Sequence, residues 1–298
     1  MTKSRVAIII PYFGKWPDWI ELFFYSCGKN PMVDFIFYTD CPLPIRQYGN
    51  TVFHKVSFDE YKQIVSDRLG VPFNVTNAYK LTDIKPFIGR VHLPELAKYD
   101  FWGFGDLDLV WGDLSILVNN DILDKYDVIT THNYHIAGHF TICRNTDYWR
   151  NLCLKIPNWQ CGLCSQEHQG FDENHWAQLV HPWLPYLRLF HSHFTKHIGI
   201  HLFKVLDFFN PIMSRKISLR EYWTSPAPKD GQVWEYDLKS GKVVNPDGVE
   251  LPYLHFLFFK RTPWLDTDIY WRKGYWQLDA DLEKYSKIRF DKDKVIGV

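Results

Sequence analysis

The chain has 298 residues, enough for one large α/β domain or two small ones. Acidic and basic residues balance at 34 each, which excludes a global electrostatic pull toward nucleic acid. Aromatics make up 17% of the chain, 13 of them Trp, which favours a thick core, a sugar-stacking cleft or a membrane-facing surface.

In chain order, Val6 to Ile10 is a β-branched run that suits a strand buried on both faces, broken by Pro11-Tyr12-Phe13-Gly14. That opening reads as a strand and not as a signal peptide, no stretch is long enough to span a bilayer, and the expected compartment is the cytoplasm. The six cysteines then read as reduced thiols. Trp16 to Tyr25 is apolar with a helical period and ends at Cys27-Gly28-Lys29-Asn30-Pro31. "FIFYTD" (35–40) predicts a second strand ending at Asp40, and Phe58 to Leu69 a helix stopped by Gly70. Tyr79 to Ile88 predicts another helix, kinked at Pro86. "YDFWGFGD" (99–106) is a third buried strand, Asp113 a helix cap, and "YDVITTH" (126–132) and "HFTICR" (139–144) two further strands. Turn signals at Ser240-Gly241 and Asn245-Pro246-Asp247-Gly248 predict a hairpin or small meander over 233–259.

Strands alternating with helices predict a mainly parallel α/β sheet flanked by helices, with a less regular C-terminal half. Ligands of such sheets bind at the carboxyl ends of the strands. Asp40, Asp106 and the stretch Pro11–Gly14 all fall at such ends.

Asp106 and Asp108 flank Leu107, and alternation along a strand would send both carboxylates to one face. Two convergent carboxylates repel unless a cation lies between them, and Mg²⁺ or Mn²⁺ held by oxygen donors also binds phosphate. The plainer alternative has Asp106 capping a turn and Asp108 in solvent.

"GFGDLDLVWGDL" resembles the D-x-D motif of glycosyltransferases with the nucleotide-sugar-binding, Rossmann-like GT-A fold. It is most similar to bacterial polysaccharide-biosynthesis members related to galactosyl- and mannosyltransferases that retain anomeric configuration. "VAIIIPYFGK", "YKLTDIKPFIG" and "LPYLHFLFFKR" resemble, in the same order, the first strand with its nucleotide loop, the segment before the D-x-D strand, and the late strand with a metal-binding His and a phosphate-contacting Lys. The resemblance implies one domain over 1–298, with a nucleotide-sugar half (1–115) and an acceptor-side half (116–298) ending in a hairpin and tail. It implies a metal held by Asp106, Asp108 and His255. It implies a donor, a UDP-sugar, contacted by Pro11, Tyr12, Phe13, Asp40, Lys80, Asp83, Lys85, Asp106, Gly138, His139 and Lys260, with Arg261 beside the diphosphate. Asp172 and Glu173 of "QGFDENHW" are the catalytic candidates, as a base toward the acceptor or as a brace for an oxocarbenium-like state.

Each residue also has a bland reading. Lys80 and Asp83 pair on a helix surface, Asp172 and Glu173 favour a helix dipole, and a lone His255 belongs to a core. Cys161 and Cys164, with Cys153 and His168, could hold Zn²⁺ or be plain thiols. The segment 194–209 is a core helix or a membrane-docking face near a lipid-linked acceptor. The expected function is metal-dependent hexosyl transfer from a nucleotide diphosphate to a glycan or lipid-linked acceptor in surface polysaccharide synthesis. The rivals are a non-catalytic nucleotide-sugar or carbohydrate binder and a metal-dependent nucleotidyltransferase. The latter is expected to carry a glycine-rich loop where "PYFGKWPDW" holds one glycine.

Overall fold

A computed structural model describes residues 5–44, 46–132, 135–181, 217–219, 231–255 and 274–298. The chain is a mixed α/β protein with a mostly parallel central sheet flanked by helices and with separate sheets in its C-terminal half.

The chain begins with β1 (Val6–Pro11), α1 (Ile20–Gly28), β2 (Val33–Thr39), β3 (Thr51–Lys55) and α2 (Phe58–Leu69). The β1 alternation is two-sided: Val6, Ile8 and Ile10 enter one core, Ala7 and Ile9 the other. That is why the run is apolar throughout. α1 starts at Ile20, later than the apolar period predicts. α2 begins with a capping box, Ser57 and Glu60 bonding each other's backbone, and stops at Gly70 in the left-handed region (φ 70°). A succession of 3₁₀ turns, Ala78–Phe87, stands where the sequence predicts a kinked α-helix. Pro86 lacks the N–H that an α-helix needs there.

Next come β4 (Phe101–Gly105), β5 (Leu109–Trp111), β6 (Val128–Thr130), β7 (Phe140–Arg144) and β8 (Ile217–Leu219). Among the described residues the central sheet has the order β3-β2-β1-β4-β7-β6-β8. The first four strands run parallel, and β7 is antiparallel to β4 and β6. The chain moves outward from β1 to β3, then returns to place β4 on the other side of β1. The direction therefore reverses between β1 and β4, where open α/β sheets form a ligand crevice.

The remaining strands are β9 (Trp234–Asp237), β10 (Lys242–Val244), β11 (Glu250–Leu251), β12 (Tyr253–His255), β13 (Trp276–Gln277), β14 (Lys287–Phe290) and β15 (Val295–Gly297). β9 to β11 form the predicted antiparallel meander within a second sheet, β11-β10-β9-β14-β15-β13. That sheet packs on α1: Tyr25 donates to the Leu238 carbonyl at 2.9 Å, and Tyr236 shares a core with Phe23 and Trp111. β12 instead pairs antiparallel with β5, setting His255 opposite Leu109.

Candidate active site

The loop after β1 is tied to the end of β2. The Gly14 N–H donates to Asp40 Oδ1 at 2.7 Å, and the Trp16 indole donates to the Pro42 carbonyl at 2.7 Å. Lys55 reaches the carbonyls of Asp40 and Cys41. Tyr12 stacks on Trp16 with 5.2 Å between ring centroids and 9° between planes. Phe13 is buried against Phe58 and Tyr61, whereas Pro11 and Tyr12 are half-buried and Gly14 and Asp40 are exposed.

β4 ends at Gly105. Asp106, Leu107 and Asp108 occupy a bend before β5, so strand alternation does not govern them, a correction to the one-face expectation. The bend is fixed by its backbone: the Asp106 N–H donates to the His139 carbonyl, and Trp19 donates to the Leu107 carbonyl at 2.7 Å. The two carboxylates then meet different partners.

Asp106 Oδ1 lies 2.6 Å from Lys85 Nζ, and the same ammonium is 3.8 Å from Asp172 Oδ2. Burial disfavours the Lys85 charge, but Asp106, Asp172 and Glu173 outweigh it and hold the ammonium firmly protonated. One ammonium cannot match three carboxylates. Asp106 takes the short bond, while burial, with Glu173 and Asp106 adding to it against Lys85, pushes the Asp172 carboxyl up to about 7. Gly138 lies directly on this group, where a Cβ would come within 2.7 Å of Asp172 Oδ2 and 3.1 Å of Glu173 Oε1. Glycine at 138 therefore makes room for the Asp172 carboxyl.

Asp108 has a different partner. Its Oδ2 is 3.3 Å from His255 Nε2, brought there by the β5–β12 pairing. The His255 ring stacks on His139 at 4.2 Å, and His139 Nε2 lies 2.8 Å from the Tyr253 hydroxyl, which donates to Thr131 at 2.6 Å. Burial first, and then His255 and His132, keep His139 neutral. His139 thus braces His255 from behind. Tyr253 and Thr131 are not among the site residues expected from the sequence. Tyr253 sits two residues before His255 in an apolar strand, and a buried hydroxyl on the same strand face was the available signal.

A buried carboxylate oxygen beside an imidazole nitrogen suits a divalent cation of the Mn²⁺ or Mg²⁺ class. Two of the three expected donors meet, while Asp106 is engaged by Lys85. Among the described residues no three His, Cys, Asp or Glu side chains gather into a metal-binding group.

Lys80 and Asp83 do not join these residues. Both are sealed from solvent, 2.8 Å apart. Asp83 accepts from the N–H groups of Gln169 and Gly170 and lies 3.1 Å from His168 Nδ1. Lys80 donates to the carbonyls of Gly162 and Glu167. The pair anchors the turn that leads to Asp172. His168 is turned to Asp83 and Thr82, Cys153 is buried, and Cys161 and Cys164 are exposed. Lys260, Arg261 and 194–209 lie outside the described residues. No helix among the described residues is long and apolar enough to cross a membrane.

Among solved structures, the chain is similar to the galactosyltransferase LgtC in complex with donor and acceptor sugar analogs, with 13% identity and a TM-score of 0.32 over 58% of this chain and 72% of that one. It is also similar to the apo-form glycosyltransferase GlyE of Streptococcus pneumoniae TIGR4, with 9% identity and a TM-score of 0.28 over 72% of this chain and 45% of GlyE. The match therefore spans under half of GlyE. No curated protein matches the sequence. The family described as "Family of unknown function (DUF6625)" matches residues 8–262, and the chain belongs to it.

Proposed function

We propose that the protein is a metal-dependent glycosyltransferase that moves a hexose from a nucleotide diphosphate, a UDP-sugar, to a glycan or lipid-linked acceptor in surface polysaccharide synthesis, with retention at the anomeric carbon. The observation that carries this reading is the meeting of Asp108 with His255 beside the Lys85-bound Asp106, at the carboxyl edge where the winding reverses between β1 and β4. Asp108 and His255 would hold Mn²⁺ or Mg²⁺, which would supply positive charge to the departing diphosphate.

The chain's own residues do the rest. Tyr12 offers a flat stacked face to the base, and Asp40, locked to Gly14, fixes the loop around it. Lys85 gathers Asp106 and Asp172 around one charge, so the metal-side and sugar-side carboxylates share a support. Asp172, ionised, faces the positive charge that develops at the anomeric carbon. Its carboxyl, raised to about 7, makes that ionisation pH-dependent near neutrality.

A panel of nucleotide sugars incubated with the protein and Mn²⁺ tests the reading. Release of nucleotide diphosphate from one donor, rising as pH passes about 7, is the expected result. Tight donor binding without release would instead make it a binding protein, and formation of nucleoside triphosphate and sugar 1-phosphate when pyrophosphate is added would make it a nucleotidyltransferase.

A further inference from the structure

Cys161 and Cys164 take no part in the site above. Cys27, Cys41, Cys143 and Cys153 are buried, whereas Cys161 and Cys164 are exposed. Both lie on the short helix Trp159–Cys164, three residues apart and hence on one side of it. Such neighbours have Cβ atoms roughly 5–6 Å apart. A disulfide needs about 3.5–4.5 Å, so closing one requires the turn to tighten toward 3₁₀ geometry. The helix stops at Cys164: Ser165 is extended and its N–H bonds the Cys161 carbonyl at 3.0 Å. No further turn resists the tightening.

Of the two residues between the thiols, Gly162 and Leu163, Gly162 has two contacts toward the site. Its carbonyl accepts from Lys80 Nζ at 2.8 Å, and Lys80 pairs with the Asp83 that holds the Gln169 and Gly170 amides. Its Cα lies so close to Phe171 that any Cβ would overlap the ring, and Phe171 directly precedes Asp172. A polar route and a packing route both run from the paired thiols to Asp172.

We propose that Cys161 and Cys164 are a reversible dithiol–disulfide modification site that exchanges with small disulfides and, when closed, displaces the turn carrying Asp172. That displacement bears on catalysis only through the role given to Asp172 above. One thiolate attacks a sulfur of glutathione disulfide, forming a mixed disulfide and releasing one glutathione. The second thiolate attacks the protein-side sulfur, closes the Cys161–Cys164 bond and releases the other glutathione. The protein loses two electrons and two protons, and the small disulfide gains both.

The folded full chain is treated with glutathione disulfide, remaining thiols are alkylated, and mass and amide exchange are read. The expected product has lost two hydrogens, carries no glutathione, and yields a Cys161–Cys164 cross-linked peptide. Amides over 169–174 should exchange about tenfold faster than in the reduced protein. Cys161→Ser and Cys164→Ser should each stop at a single glutathione adduct, with exchange over 169–174 unchanged. Two stable adducts on the wild type, unreacted thiols, or ring closure without faster exchange would each overturn the proposal. Neither readout depends on sugar transfer, so failure of the glycosyltransferase reading leaves this test intact.

Discussion

Two lysines five residues apart on the same 3₁₀ segment face opposite problems. Lys80 meets Asp83 and two backbone carbonyls, and the pair is dry and matched. Lys85 meets Asp106, Asp172 and the nearby Glu173, and the group is short of positive charge. A matched buried pair holds a turn in place. An unmatched one stores a carboxyl poised to change its proton and leaves room for another cation.

The comparison breaks most visibly at Asp83. Asp83→Ala strands the buried Lys80 ammonium and frees the Gln169–Gly170 amides, so a loss of about 3–5 kcal/mol in denaturant unfolding is expected. A loss under ~1 kcal/mol would mean that the pair does not anchor the turn. Lys85→Met should act on chemistry instead. Donor turnover should fall roughly 100-fold. Its pH inflection should move up, because Lys85 is the group that opposes the rise of the Asp172 carboxyl.

Asp172→Asn gives a smaller, pH-dependent effect on stability. The folded carboxyl titrates near 7 against an ordinary 3.8, so the native state binds more protons between those values. Its contribution is therefore fully present below the ordinary value and lost as pH rises through about 7. Asp172→Asn should remove that decline and raise Tm at pH 8 by roughly 5 °C, with little change at pH 4. An unchanged stability profile would place the proton elsewhere.

Much of the sheet was legible because its chemistry is local. Val6–Ile10, the Ser57–Glu60 box with Gly70, and the Phe101–Phe104 run carry their structure in adjacent residues. β3 was missed because "TVFHK" is half-exposed at the sheet edge and shows no apolar run. The site was legible as a set of residue types at strand ends, but not as partnerships. Asp106 and Asp108 part company because the chain bends after Gly105, and alternation says nothing about a bend. His255 reaches Asp108 through β5–β12 register, a pairing between segments far apart in sequence. Lys85 reaches Asp172 through a turn that Asp83 anchors, which no spacing in the sequence encodes.

The central claim is that Asp108 is part of a metal-dependent transfer site. The direct measurement is Mn²⁺-dependent nucleotide diphosphate release from the best donor by wild type and by Asp108→Ala, with Tm recorded for both. A loss of about 10³-fold or more with the folded state intact is the predicted result. Undiminished release by a folded Asp108→Ala protein would contradict the account.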